Sequence, residues 1–427
     1  MNLSYRELLK SNENFRLLFL GQLVSELGNW FNYIAGLGLI RVVSGASPEA
    51  AGILLLCRTL PWALLMPFAG TCADLFSRRT IMLITDILRA FLALVFLFVD
   101  SHEDLWIAYT GSLLLSGASA FFDGAKNAAV PNLSGKEGLL SATALMFSSR
   151  FLFMAIGAAL GGVTSAFFGY EVAFVINSVS FLVSAASILL IPENAMHENK
   201  VTASYSPKQT HRQTNSFFDE LAEGFRYTLA NPFALTILLM NIIWAMGGGA
   251  TFLVFEGLAV QVFSAQGKNT DTVVSFLMTA NGIGLTIGML IAHRIGSYVE
   301  SRKIEISFIG WALVAHGIFF ALAGLTNFLP LAAFLVMLSR AIVGVEYAVQ
   351  ETMFQRSLPD YIRGRISTLD RGAEVTVFSL ASYLAGVSLN FISAPFLAIL
   401  AGFFTSISGV FWFVRMKNQE IKALRYS

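Results

Sequence analysis

Charge is scarce in this sequence. Asp, Glu, Lys and Arg make up 13% of 427 residues, against about 25% in a soluble domain, and that shortage excludes an ordinary water-soluble enzyme. An excess of one sign is lacking too: 28 basic residues stand against 27 acidic ones, so neither a nucleic-acid footprint nor an acidic tail is present. Cysteine is limited to Cys57 and Cys72, with no second pair for a disulfide framework or a zinc site. No G-x-x-x-x-G-K-[ST] occurs, so the chain has no nucleotide-binding loop to run a P-loop ATPase cycle, and any work it does draws on a gradient. The five histidines, His102, His197, His211, His293 and His316, are scattered, without an H-E-x-x-H pair. No catalytic group, cofactor or metal is expected.

What is abundant is apolar length. Hydrophobic residues account for 56% of the chain, with 38 Phe; these serve as lipid-facing, packing or cavity-lining groups. A bilayer core of about 30 Å takes roughly 20 helical residues, and twelve such runs follow one another: 15–40, 48–70, 80–99, 105–127, 140–166, 171–191, 232–263, 272–294, 304–325, 330–354, 366–391 and 395–415. The one long polar stretch, 192–231, holds Lys200, Lys208, His211 and Arg212 and reads as a linker. An all-α membrane protein is expected, with segments 1–14 (N-terminal), 15–191 (six-helix bundle), 192–231 (linker), 232–415 (second six-helix bundle) and 416–427 (tail). Residues 1–14 lack the short apolar region and cleavage site of a signal peptide, which leaves the first run as the insertion signal.

With the N-terminus cytoplasmic, the loops on that side gather Arg6, Lys10, Arg78, Arg79, Lys136, Lys200, Lys208, Arg212, Arg302, Lys303, Arg356, Arg363 and Arg365, and the opposite loops little more than Arg41 and Lys268. That asymmetry follows the positive-inside rule and puts both termini in the cytoplasm. Two loop pairs repeat. Gly70 to Arg79 after the second run has a shortened copy from Gly296 to Lys303 after the eighth, 226 residues on, and Pro131 with Gly135-Lys136 has a counterpart 228 residues on in Pro359 with Gly364-Arg365. An even number of helices per half gives parallel repeats about an axis normal to the membrane, an arrangement that places a substrate site between the halves.

Gly70, Asp74, Arg78 and Arg79 match G-x-x-x-D-x-x-x-R-R, and the chain resembles the major facilitator superfamily, which carries that signature between its second and third helices. Gly21 to Trp30, Arg58 to Pro61, Phe122 to Lys126 and Leu358 to Arg365 resemble the branch holding enterobactin exporters and macrolide efflux pumps. Gly157, Gly161 and Gly162 are similar to the antiporter motif G-P-x-x-G-G, with Ala158 in place of its proline. The resemblance implies two pseudo-symmetric six-helix bundles, the major facilitator fold. It also implies a conformational latch at Gly70, Asp74, Arg78 and Arg79, the alternative being a solvated basic loop that fixes topology. On the residues alone, Gly157, Gly161 and Gly162 let the fifth helix approach a neighbour closely.

A charge near the bilayer centre costs on the order of 3 kcal/mol, so each needs a partner, a wet cavity or a proton. Glu26 lies mid-way in the first run, with Asn29 and Tyr33 on the same helical face. It leads as a proton-coupling or cation-binding residue, against a structural, hydrogen-bonded Glu. The seventh run offers Asn241, Trp244, Glu256 and the Gly247-Gly248-Gly249 run, and the tenth offers Arg340, Glu346 and Gln350; the resemblance turns both toward the cavity. For Glu256 and Arg340, function and structural pairing weigh equally. Asp86 with Arg89, Asp123 with Lys126, and Arg371 with Glu374 are spaced i, i+3 and read as local pairs. Arg58 and Arg150 have no such partner and are second-tier cavity residues, within possible reach of Glu26 or Asp123.

The expected function is secondary active transport by alternating access, exporting an amphipathic small molecule, drug or siderophore-like, across a bacterial inner membrane in exchange for protons. The expected partners are that substrate, protons and membrane lipids, with the chain a monomer. An importer or symporter, a lipid flippase, and a receptor that moves nothing are the rival readings.

Overall fold

The computed structural model describes residues 3–196 and 217–426. His197, Lys200, Lys208, His211 and Arg212 of the expected linker lie outside the described residues. Fourteen α-helices follow in order: α1 (Tyr5–Ser11), α2 (Glu13–Val43), α3 (Pro48–Leu75), α4 (Arg78–Leu94), α5 (Leu105–Phe168), α6 (Tyr170–Leu189), α7 (Phe217–Ala230), α8 (Pro232–Gly248), α9 (Thr251–Leu258), α10 (Thr270–Arg302), α11 (Glu305–Leu325), α12 (Leu329–Ser357), α13 (Asp360–Ser388) and α14 (Ala394–Tyr426). There is no strand among the described residues.

Local chemistry sets where the helices begin and break. Side-chain oxygens of Asn12, Ser77, Asn231 and Asn269 accept the first free N–H groups of α2, α4, α8 and α10, which are the donors a helix start leaves unsatisfied. At α1, Ser4 and Glu7 form a reciprocal capping box: the Ser4 N–H and hydroxyl donate to Glu7 Oε2 at 2.9 and 2.7 Å, which holds the Glu7 carboxyl below its ordinary value. Gly135, at φ 68°, breaks the 64-residue α5 in two, a backbone conformation that a side chain would strain. Pro61 lies inside α3, and next to it the Trp62 N–H donates outward to Ser116 Oγ at 3.1 Å.

Among the described residues ten helical segments are long and apolar enough to cross a membrane, where twelve runs were expected. The remaining two expected spans correspond to α2 and α13, of 31 and 29 residues. They are as long but more polar: α2 carries Gln22, Glu26, Asn29 and Asn32, and α13 carries Asp370, Arg371 and Glu374. The stretch expected as linker contains α7, and the expected seventh span is divided into α8, α9 and a π-helical turn at Ala259–Phe263.

The chain forms two compact units, Met1–Ser47 with Cys57–Gln213, and Pro48–Leu56 with Thr214–Ser427. In the first, α2 packs on α5 and α6, and α4 on the same two; in the second, α8 and α11 pack on α14, α8 on α13, and α10 and α11 on α12. Each unit has its own core, around Phe15, Phe122 and Ile188 in one and Ile237, Phe354 and Trp412 in the other. Phe91, Phe168, Leu290 and Phe391 are 68, 69, 69 and 83% exposed, as residues bordered by lipid would be. Lipid removes the hydrophobic drive for helix association, so close approach of small residues does the work. In the second unit a Cβ on Gly317 of α11 would collide with the Gly402 carbonyl oxygen of α14.

Candidate functional site

In the first unit, Glu26 is half-buried on α2 and has no hydrogen bond or ion pair among the described residues. Arg58 of α3 does not pair with Glu26 or Asp123. Its Nη1 donates to Asn32 Oδ1 at 2.8 Å, its Nη2 donates to the Asn29 carbonyl at 3.0 Å, and its guanidinium lies 4.9 Å from the Tyr33 ring centre. An amide and an aromatic face thus replace the expected carboxylate, which satisfies the donors without neutralising the charge. Arg150 is exposed and forms no ion pair among the described residues, but it lies within electrostatic range of Asp123. Asp123 of α5 is occupied from two sides, by Lys126 and by Trp62 Nε1 at 2.9 Å, and Lys126 also reaches Gln22 Oε1 at 3.5 Å.

The i, i+3 pairs read from the sequence all form. Asp86 and Arg89 pair in full burial, with Arg89 lying 4.0 and 4.4 Å from the ring centres of Phe122 and Phe181. Arg371 pairs with Glu374 at 2.8 Å.

The loop between α3 and α4 is held by backbone carbonyls. Arg78 Nη1 donates to the carbonyls of Ala128 and Met196 at 2.9 and 2.8 Å, and Arg79 Nη2 to that of Leu189 at 2.6 Å. A cation at the last carbonyls of α6 meets the negative end of that helix. Asp74 is exposed and pairs with neither arginine, and a Cβ on Gly70 would meet nothing within 4 Å. Gly157 and Gly161 pack on α2: a Cβ on Gly157 would sit 2.5 Å from that of Trp30, and one on Gly161 3.2 Å from Phe31 Cα. Gly162 is buried beside them on α5.

In the second unit Asn241 and Gln350 belong to one hydrogen-bonded network, and Trp244 and Glu346 lie one helical turn away from them on α8 and α12. Gln350 Nε2 donates to Asn241 Oδ1 at 2.9 Å, and Asn241 Nδ2 donates to Asp370 Oδ2 at 2.9 Å. Asp370 is the residue that sequence reasoning missed. It stands next to Arg371, whose local pair with Glu374 already accounted for the charge of that stretch, and only the bridge from α8 sets Asp370 apart. Arg340 and Glu346 form no ion pair among the described residues. Arg340 donates to Thr251 Oγ1 at 2.6 Å and lies 5.2 Å from the Phe320 ring centre, while Glu346 is 2% exposed. Glu256 is buried on α9. Gly247 and Gly249 are sites of close approach, where a Cβ would strike the carbonyl oxygens of Ala401 and Phe378. His316 of α11 is locked to α12, its Nδ1 lying 2.6 Å from Ser339 Oγ. No group of three or more metal-ligating side chains occurs among the described residues.

Comparison with known proteins matches residues 9–425 to the family described as transmembrane secretion effector, within the major facilitator superfamily. An uncharacterized MFS-type transporter of Bacillus subtilis, YfiS, is 26% identical over 424 residues, covering 94% of each chain. The multidrug efflux pump Tap of Mycolicibacterium fortuitum is 24% identical over 405 residues, covering 90% of this chain and 89% of Tap. Among solved structures, a bacterial homolog of the human lysosomal transporter Spinster, inward-facing and unoccupied, aligns with a TM-score of 0.73 at 13% identity, over 95% of this chain and 96% of that one; it shares the fold. A family match over nearly the whole length, on an all-helical chain rich in apolar spans, makes this an integral membrane protein of the transmembrane secretion effector family, a transporter of the major facilitator superfamily and not an enzyme.

Proposed function

We propose that this transporter exports amphipathic small molecules across the inner membrane in exchange for protons, by alternating access, with both termini cytoplasmic and with α2 and α13 crossing the membrane beside the ten apolar segments. The observation that carries the export reading is the likeness to Tap, over nine-tenths of both chains. Proton exchange draws its support from Glu26, a half-buried carboxylate on a membrane helix without a partner. Such a group can bind a proton on one side and release it on the other. The basic residues of the loops support the orientation.

In this reading Asn29, Tyr33 and Arg58 form the polar wall beside Glu26 in the first unit; in the second unit, taken by itself, Trp244, Glu256 and Arg340 are the candidate substrate-binding residues. Arg78 and Arg79 form a latch that ties the α3–α4 loop to α5 shortly before its break at Gly135 and to the end of α6, and Asp74, unpaired here, acts in the other state. Residues 192–231 link the halves, and the monomer is the working unit in its lipid.

Glu26→Gln keeps the shape of the side chain but cannot ionise. It is expected to abolish pH-gradient-driven export from vesicles with expression intact; gradient-driven flux at the normal rate in that variant contradicts the proton role.

A further inference from the structure

We propose that Asp370 of α13, aligned by the amides of Asn241 and Gln350, and Glu346 of α12 are proton-binding carboxyls of the second unit. The inference rests on the reading of the chain as a proton-exchanging transporter and adds to Glu26 a second protonatable group.

The carboxyls lie in a part of the bundle that water does not reach. Asp370 is 8% exposed and Glu346 2%. A carboxylate only accepts hydrogen bonds, so the amide nitrogen of Asn241 must face Asp370, which leaves the Asn241 oxygen for Gln350. This chain satisfies one oxygen of Asp370. The other, Oδ1, is buried with no hydrogen-bond partner, and so is Oε1 of Glu346. An ionised carboxylate with an unsatisfied buried oxygen is costly, and a bound proton removes the charge.

The charges nearby do not supply that neutralisation. Arg371 is the guanidinium beside Asp370, but its Nη1 donates to Glu374 at 2.8 Å and its Nη2 to the Tyr347 hydroxyl at 2.6 Å. Glu374 and Glu351 lie within electrostatic range of Asp370, so three carboxyls share one guanidinium, and Glu374 lies within range of Glu346, on which no cation acts. Of the other cations on the elements packed against α12 and α13, Arg226 of α7 is exposed and Arg302 of α10 lies over the Tyr298 ring, and neither bonds to these carboxyls. From α8 come Asn241 and the indole of Trp244, whose Nε1 is itself without a partner. On α7, Glu223 pairs with Arg365, and on α11, His316 is held by Ser339. Glu256 of α9, and His293 and Arg294 of α10, do not act on either carboxyl.

A purely structural role, in which Asp370 stays ionised and merely ties α13 to α8, predicts no titration. Infrared spectra of the full-length protein in lipid vesicles, taken from acid to alkaline pH, separate the two. The expected result is a protonated-carboxyl band at neutral pH that is lost on alkalinisation, weakened in Asp370→Asn and in Glu346→Gln, and abolished in the double variant. Asp370→Glu, which keeps an ionisable group, retains a shifted band and guards against loss of the fold. A band absent from the wild type, unchanged in all variants, or responsive to sodium in place of pH overturns the site.

Proton movement evoked by substrates in the same vesicles distinguishes this failure from that of the transport reading. A titrating band with no evoked movement for any compound overturns proton-coupled export and sustains the site. Gradient-driven export that survives intact in the double variant overturns the site and sustains export.

Discussion

Asn241 works at the scale of a single side chain, and it can fill its role in one orientation only, nitrogen toward Asp370 and oxygen toward Gln350. Asn241→Leu removes both bonds at once and strands a buried carboxylate and a buried amide. The expected cost is about 1–3 kcal/mol, read as a lower midpoint in denaturant unfolding of the vesicle-embedded protein; a midpoint equal to that of the wild type contradicts the bridge. The polar residues of this network were legible as polar interruptions of apolar runs, since each stands out against the cost of burying it. Asp370 was not, because its neighbours Arg371 and Glu374 make an i, i+3 pair that explains the local charge without it. Arg58 shows the converse: its charge was evident, but its acceptors are an amide oxygen and a backbone carbonyl, which no rule of opposite charges selects.

Among elements, α1 is one whose order titrates outside the membrane. Its box depends on an ionised Glu7, whose carboxyl is held below its ordinary value of 4.5 by the Ser4 hydroxyl and N–H. A lowered carboxyl contributes stability that is present above the unfolded value and is lost as pH falls through the folded one. Protection of the Tyr5–Ser11 amides, taken relative to the intrinsic exchange rate at each pH, is therefore expected to fall only once the pH drops below about 4.5, and to be constant from there to neutrality; loss of protection above that range contradicts the capping role.

Helix pairs make a different demand. Leu at Gly317 would force α11 from α14, at a cost of about 1–3 kcal/mol of overpacking, seen as a lower thermal midpoint; full stability in Gly317→Leu contradicts close contact at the Gly402 carbonyl. Helix positions were legible from apolar length, because a bilayer imposes that length. The division of the seventh span at Gly249 and the helix within 192–231 follow from packing contacts and local capping, which hydropathy does not record.

For the whole molecule, the loop repeats near 226 and 228 residues are the signal by which the sequence reads as two halves joined at 192–231. The spans that fall short of the apolar standard are α2 and α13, which carry Glu26 and Asp370. In the proposed transport reading, helices that carry proton-binding groups cannot also be uniformly apolar, and their role would lower the very signal by which spans are found.

The central claim, proton-coupled export, is tested most directly in everted vesicles with an acidified interior, by following proton release as lipophilic drugs, siderophores and lysolipids are added. The account predicts that at least one compound collapses the gradient with the wild type and not with Glu26→Gln. Equal collapse in both, or no response to any compound from folded protein, would contradict it.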